Sequence, residues 1–177
     1  MNRREAVKTT GVLLTGVLIT STSLSACARE SRNIGASALD ANDQALIEEI
    51  ADTLLPTTQN SPGAKAAGVG PIINLLLTDC REPADQKRVV DGLKEFRDTL
   101  GDHFASMSQA DRENWLRRID AEAKRVGDTH YFPLVRELSL QAYFSSQIGM
   151  TKALRYVMTP GKWVGCVPLQ PGQPAWA

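Results

Sequence analysis

Apolar residues recur at helical spacing through most of this chain. Beyond Leu39-Asp40, the positions Leu46, Ile47, Ile50 and Leu54 mark one helix face. Asp40 is its candidate N-cap, and Pro56 stops it because proline lacks an N–H and crowds the preceding turn. The segment Thr57-Thr58-Gln59-Asn60-Ser61-Pro62-Gly63 is turn chemistry throughout, and the small residues from Ala64 to Val69 suit one tight helical turn. Pro71 fits the first position of a second helix. Its run Ile72-Ile73-Asn74-Leu75-Leu76-Leu77 is apolar nearly all round, which predicts burial in this core or under a partner.

Pro83 opens a third helix with Val89, Val90, Leu93, Phe96 and Leu100 inward, closed by Gly101. Ser108 with Asp111 approximates a capping box for a fourth, which carries Trp115, Leu116, Ile119 and Val126 and ends at Gly127. A fifth starts near Tyr131-Phe132-Pro133 and runs through Leu134, Val135, Leu138 and Leu140 to Tyr143-Phe144. A short sixth follows Ser145-Ser146, through Ile148 and Met150 towards Leu154. After Tyr156 proline and glycine are too frequent for a regular element. No period-2 strand pattern and no internal repeat is present. The pattern predicts an all-α fold over residues 38–177, a single small helical bundle with an irregular Pro/Gly-rich C-terminal strap.

The first residues read differently. Arg3-Arg4 and Lys8 precede a short, weakly apolar run from Gly11 to Thr20, about half the length a bilayer span requires. An arginine pair before a weak apolar run is the pattern of twin-arginine export signals; an ordinary secretory signal is the alternative. Leu24-Ser25-Ala26-Cys27 resembles a lipobox, in which the Cys27 thiol takes a lipid and becomes the new N-terminus. Several acyl chains at about 0.8 kcal/mol per buried CH₂ hold a protein at a membrane without a spanning helix. Residues 1–26 are thus expected to be a cleaved signal and residues 27–37 a polar tether. The expected location is the periplasm, as a membrane-anchored lipoprotein exported by the twin-arginine translocase.

Composition narrows the function. The 177 residues hold 20 basic and 20 acidic side chains, so nothing suggests a nucleic-acid partner. Removing Cys27 leaves Cys80 and Cys166, an even pair in an oxidising compartment. An internal bridge between them is favoured and contributes roughly 4 kcal/mol in the chain-entropy model. Buried free thiols, or a bond to a partner protein, are the alternatives. His103 and His130 lie in separate loops without metal-ligand spacing and read as surface or capping residues. Gly68-Val69-Gly70 lacks the third glycine of a dinucleotide fingerprint, because Ile73 stands in its place. No catalytic, cofactor-binding or metal-binding residue emerges, and no cofactor is expected in this chain.

Folded export without a cofactor site suggests a chain that escorts a cofactor-bearing partner. Such a role requires an exposed apolar surface. The candidate interface residues are Ile72, Ile73 and Leu76 on the second helix, with Tyr156, Pro160, Gly161 and Trp163 on the strap.

A resemblance gives this role a form. Ala51-Asp52-Thr53-Leu54-Leu55-Pro56-Thr57-Thr58, then Pro62-Gly63-Ala64 and Ala67-Gly68-Val69, resembles the first half of the gluconate 2-dehydrogenase subunit 3 family. Thr78-Asp79-Cys80 resembles its next block. Tyr143-Phe144-Ser145-Ser146 through Ala153-Leu154-Arg155-Tyr156 and Pro160-Gly161 to Gly165-Cys166-Val167-Pro168 resembles its last. Ala142 and Gln147 depart from the glycine and glutamate common there. The resemblance implies a non-catalytic small subunit of a membrane-associated sugar or sugar-acid dehydrogenase. Its companion is expected to be a large subunit of the glucose–methanol–choline type carrying FAD, with a cytochrome c subunit as a further partner. Export, maturation and membrane association of that flavoprotein are the implied tasks. A free-standing envelope lipoprotein that binds or scaffolds is the competing reading.

Overall fold

The computed structural model describes residues 37–100, 103–159, 161–162 and 164–176. Arg3, Arg4, Lys8, Cys27, Gly101, Pro160 and Trp163 lie outside the described residues. Asp40 caps α1 (Ala41–Leu54), its carboxylate accepting from the Asp43 backbone N–H at 2.7 Å. One 3₁₀ turn follows at Lys65–Ala67, then α2 (Val69–Cys80) and α3 (Pro83–Leu100). A four-residue turn of helix, α4 (His103–Ser106), leads to α5 (Gln109–Val126) and α6 (Phe132–Ser145). The Ser108 hydroxyl accepts from the Asp111 N–H at α5, and the Asp111 carboxylate accepts from that hydroxyl, so aspartate completes the cap. The sixth helix of the sequence pattern is a π-helical turn, Gly149–Ala153. Among the described residues there is no strand, and the fold is an all-α bundle.

α2 lies against α1 and α6, and α1 also touches α3, α5 and α6. The core runs between these helices, with Ile47, Ile50, Ile73, Leu77, Leu93, Val135 and Leu138 fully or almost fully buried. Gly92 on α3 is a close-packing position: a Cβ there would run into the Tyr131 ring. Burial pushes the Tyr131 phenol well above its ordinary range, and the Glu95 and Glu122 charges add to the shift.

Several expectations are corrected. α2 begins at Val69, so Pro71 is its third residue, where a missing N–H still leaves no intrahelical bond unmade. Val126 and Leu140 point outward, because α5 and α6 each bury a narrower stripe than their sequences offer. Ile73 is wholly buried in this chain's own core and cannot face a partner; Leu75, two positions on, is 59% exposed. The Cys80–Cys166 bridge is not formed: both thiols are free and exposed, Cys80 ending α2 and Cys166 lying on the strap.

Candidate partner interface

Two stretches far apart in sequence build the base of the strap. After α1, the chain turns through Pro56–Gly63, held by Thr58 N–H to the Ser61 carbonyl (2.8 Å) and Gly63 N–H to the Thr57 hydroxyl (2.9 Å). The Ala64 N–H then returns to the Leu55 carbonyl. Gly63 fits here because a Cβ would lie 2.7 Å from both the Asp52 carboxylate and the Thr57 nitrogen. Tyr143 near the end of α6 closes this loop from the other side. Its hydroxyl donates to the Pro62 carbonyl at 2.6 Å and shares a second hydrogen bond with Ser61, also 2.6 Å.

Beyond Tyr143 the backbone is redirected by short-range bonds. The Ser146 hydroxyl donates to the Tyr143 carbonyl (2.6 Å) and accepts from the Gly149 N–H (3.0 Å). A Cβ on Gly149 would collide with the Tyr143 carbonyl, so glycine lets the π-helical turn sit directly on the end of α6. Leu154 N–H closes that turn on the Gly149 carbonyl at 2.9 Å. The strap departs from there.

The strap presents apolar side chains to solvent. Met158 and Leu169 are 82% and 81% exposed, and Tyr156, Val157, Val164, Val167 and Trp176 are also exposed. Tyr156 and Gly161 thus lie where a partner can reach them. Ile72 and Leu76 are half-buried, packed against the core, and offer only part of their surface.

The residue blocks that meet at Tyr143 are the ones that carried the family resemblance, and the comparison agrees. The family model for gluconate 2-dehydrogenase subunit 3 matches residues 41–161. The chain belongs to the gluconate 2-dehydrogenase subunit 3 family. No curated protein and no solved structure matches it. For a member of this family, the Pro56–Gly63 loop and the Tyr143–Ser146 segment are one joint rather than two motifs.

Other candidate chemistry resolves into structure. His130 accepts the Phe132 N–H on Nδ1 at 3.1 Å and stacks on Tyr131, a capping role at the start of α6. Exposed His103 begins α4. Among the described residues no group of three His, Cys, Asp or Glu side chains could hold a metal. No described helix is long and apolar enough to cross a membrane.

One feature carried no signal in the sequence pattern, a surface cavity of about 620 Å³ between α1, α5 and α6. Leu54, Leu116 and Phe132 form part of its lining, with Asp120, Lys124 and Arg136 among its charged groups. The Lys124 ammonium, 2.7 Å from Asp120, hydrogen-bonds that carboxylate and, with Arg136, holds it below the usual carboxylate range. The positions fall on different helices, so only packing brings them together.

Proposed function

We propose that this chain is the non-catalytic small subunit of a periplasmic FAD-dependent dehydrogenase acting on a sugar or sugar acid. The observation that carries the reading is the family match across residues 41–161. The companion is a glucose–methanol–choline-type flavoprotein, and a cytochrome c subunit takes the electrons. The FAD belongs to the companion, and this chain serves export, maturation and membrane association. The Arg3-Arg4 leader and the Cys27 lipobox support those tasks, and the exposed apolar strap supplies a surface for the contact.

Co-expression with a glucose–methanol–choline-type flavoprotein companion tests the assignment. Replacing Arg3 and Arg4 with lysine strands both subunits in the cytoplasm if one leader serves both. Recovery of active flavoprotein in the periplasm despite that change refutes the escort role. Replacing Cys27 with alanine releases the complex from membranes; unchanged sedimentation with membranes refutes lipid anchoring at that residue.

A further inference from the structure

Glu137 is the last acidic residue of the chain. Residues 138–177 therefore hold none of the 20 carboxylate side chains, while Lys152, Arg155 and Lys162 make them basic. A protein of zero net charge thus leaves a net positive segment, through lack of acids, where most of the exposed large apolar side chains stand.

That segment is closed at its base. The Arg155 N–H donates to the Ala175 carbonyl at 2.8 Å, forming a parallel bridge between Arg155 and Trp176. The Arg155 guanidinium also lies 4.1 Å from the centre of the Trp176 ring, a cation–π contact. Gly161 and Gly172 take positive φ, 70° and 73°, where a side chain would be strained. The Gln173 N–H to Gln170 carbonyl bond fixes a turn near the second. Between the two ends, Met158, Val164, Val167 and Leu169 stand exposed.

We propose that residues 155–176 form a docking loop, closed by Arg155 and Trp176, which seats in an apolar groove with a carboxylate rim on the companion flavoprotein. This rests on the subunit reading above and deepens it. The exposed apolar side chains call for an apolar floor, and a loop with bases but no acids calls for acidic edges. An anionic bilayer shares that chemistry, but the loop's backbone argues against it. The described residues from 156 to 174 form no helix or strand, and the Gln173 N–H to Gln170 carbonyl bond marks one turn within them. Hydrocarbon offers no partners to the N–H and C=O groups of such irregular backbone, whereas a protein groove does. Closing the base beforehand reduces the ordering cost of binding, so Arg155 and Trp176 act as positioning residues.

Titration of the purified full chain against the purified flavoprotein tests this. The double variant M158D/L169D is expected to bind at least about tenfold more weakly with an unchanged melting curve, since both side chains are exposed. W176A is expected to weaken binding several-fold and W176F to restore it, because an aromatic face again receives Arg155. K162E is expected to weaken binding and to reduce its sensitivity to salt. If the unaltered chain does not bind the flavoprotein, the subunit reading itself fails. If it binds and M158D/L169D binds equally well, the docking loop alone is refuted. If M158D/L169D keeps the flavoprotein but loses binding to phosphatidylglycerol–phosphatidylethanolamine vesicles, the occupant is a membrane and the protein groove is refuted.

Discussion

The Tyr143 hydroxyl donates to the carbonyl oxygen of Pro62, 81 residues earlier in the chain, at 2.6 Å. This bond and its neighbour to Ser61 fasten the loop after α1 to the end of α6. The strap leaves the bundle after the π-helical turn Gly149–Ala153 that sits on this helix end, so its starting point is set by this joint. Tyr143 is buried, so the phenylalanine variant keeps the ring but leaves the Pro62 carbonyl without this donor. Tyr143→Phe is expected to destabilise the fold by about 1–3 kcal/mol, read as a lower urea midpoint with an unchanged m-value. An unchanged midpoint would show that the joint carries no net stability.

Gly92 and Tyr131 impose the opposite constraint, a lack of space. Gly92→Ala pushes a methyl group into the Tyr131 ring and is expected to cost about 1–3 kcal/mol by overpacking. Alanine favours the helix by about 1 kcal/mol, so a stabilised G92A variant would mean the ring moves aside freely.

Asp120 predicts part of the acid response. Its folded-state pKa is depressed, so its contribution is present above the unfolded value, about 3.9, and is lost as pH falls through the folded one. Asp43 runs the other way. Burial raises its pKa despite the Arg97 guanidinium 2.7 Å away, so its contribution is greatest when protonated and is lost as pH rises through the raised value. Comparing Asp120→Asn with the parent separates the two. The variant is expected to be less stable at neutral pH, by under about 1 kcal/mol for a partly exposed pair. Its acid limb in urea titrations is expected to be flatter. Parallel limbs would deny Asp120 its role.

Cys80 and Cys166 are expected to react with a thiol reagent at rates near those of exposed thiols, without denaturant. Cys80→Ser and Cys166→Ser should each remove one fast-reacting group. Slow reaction of both until a reductant is added would restore the internal bridge that the structure does not form.

Local chemistry explains why so much of the bundle could be read in advance. Asp40 and Ser108 cap the helices they precede, Pro83 opens α3, and Gly127 ends α5, because each acts within a turn or two of itself. α4 escaped notice. Four residues are too few to show a period, and Phe104 announces itself only by packing edge-on to Phe96 at 5.0 Å. The Ile72–Leu77 run shows the limit most clearly. It is apolar nearly all round, and Asn74 sits in it because its side chain accepts the Leu39 N–H and donates to the Ser37 hydroxyl. The pattern could not say which apolar residue faces out. Neighbouring α1 and α6 decide that, burying Ile73 and leaving Leu75 in solvent.

The sequence by itself determined the five long helices, the caps at Asp40 and Ser108, the irregular strap and the family, since each is written in residues close together or in ordered blocks. Tertiary structure alone decided the joint at Tyr143, the closing of the strap by Arg155 and Trp176, the separation of the two cysteines and the charged cavity around Asp120. These depend on which side chains distant in sequence come within a few ångströms, and that follows from packing the helices together rather than from the period of any one of them.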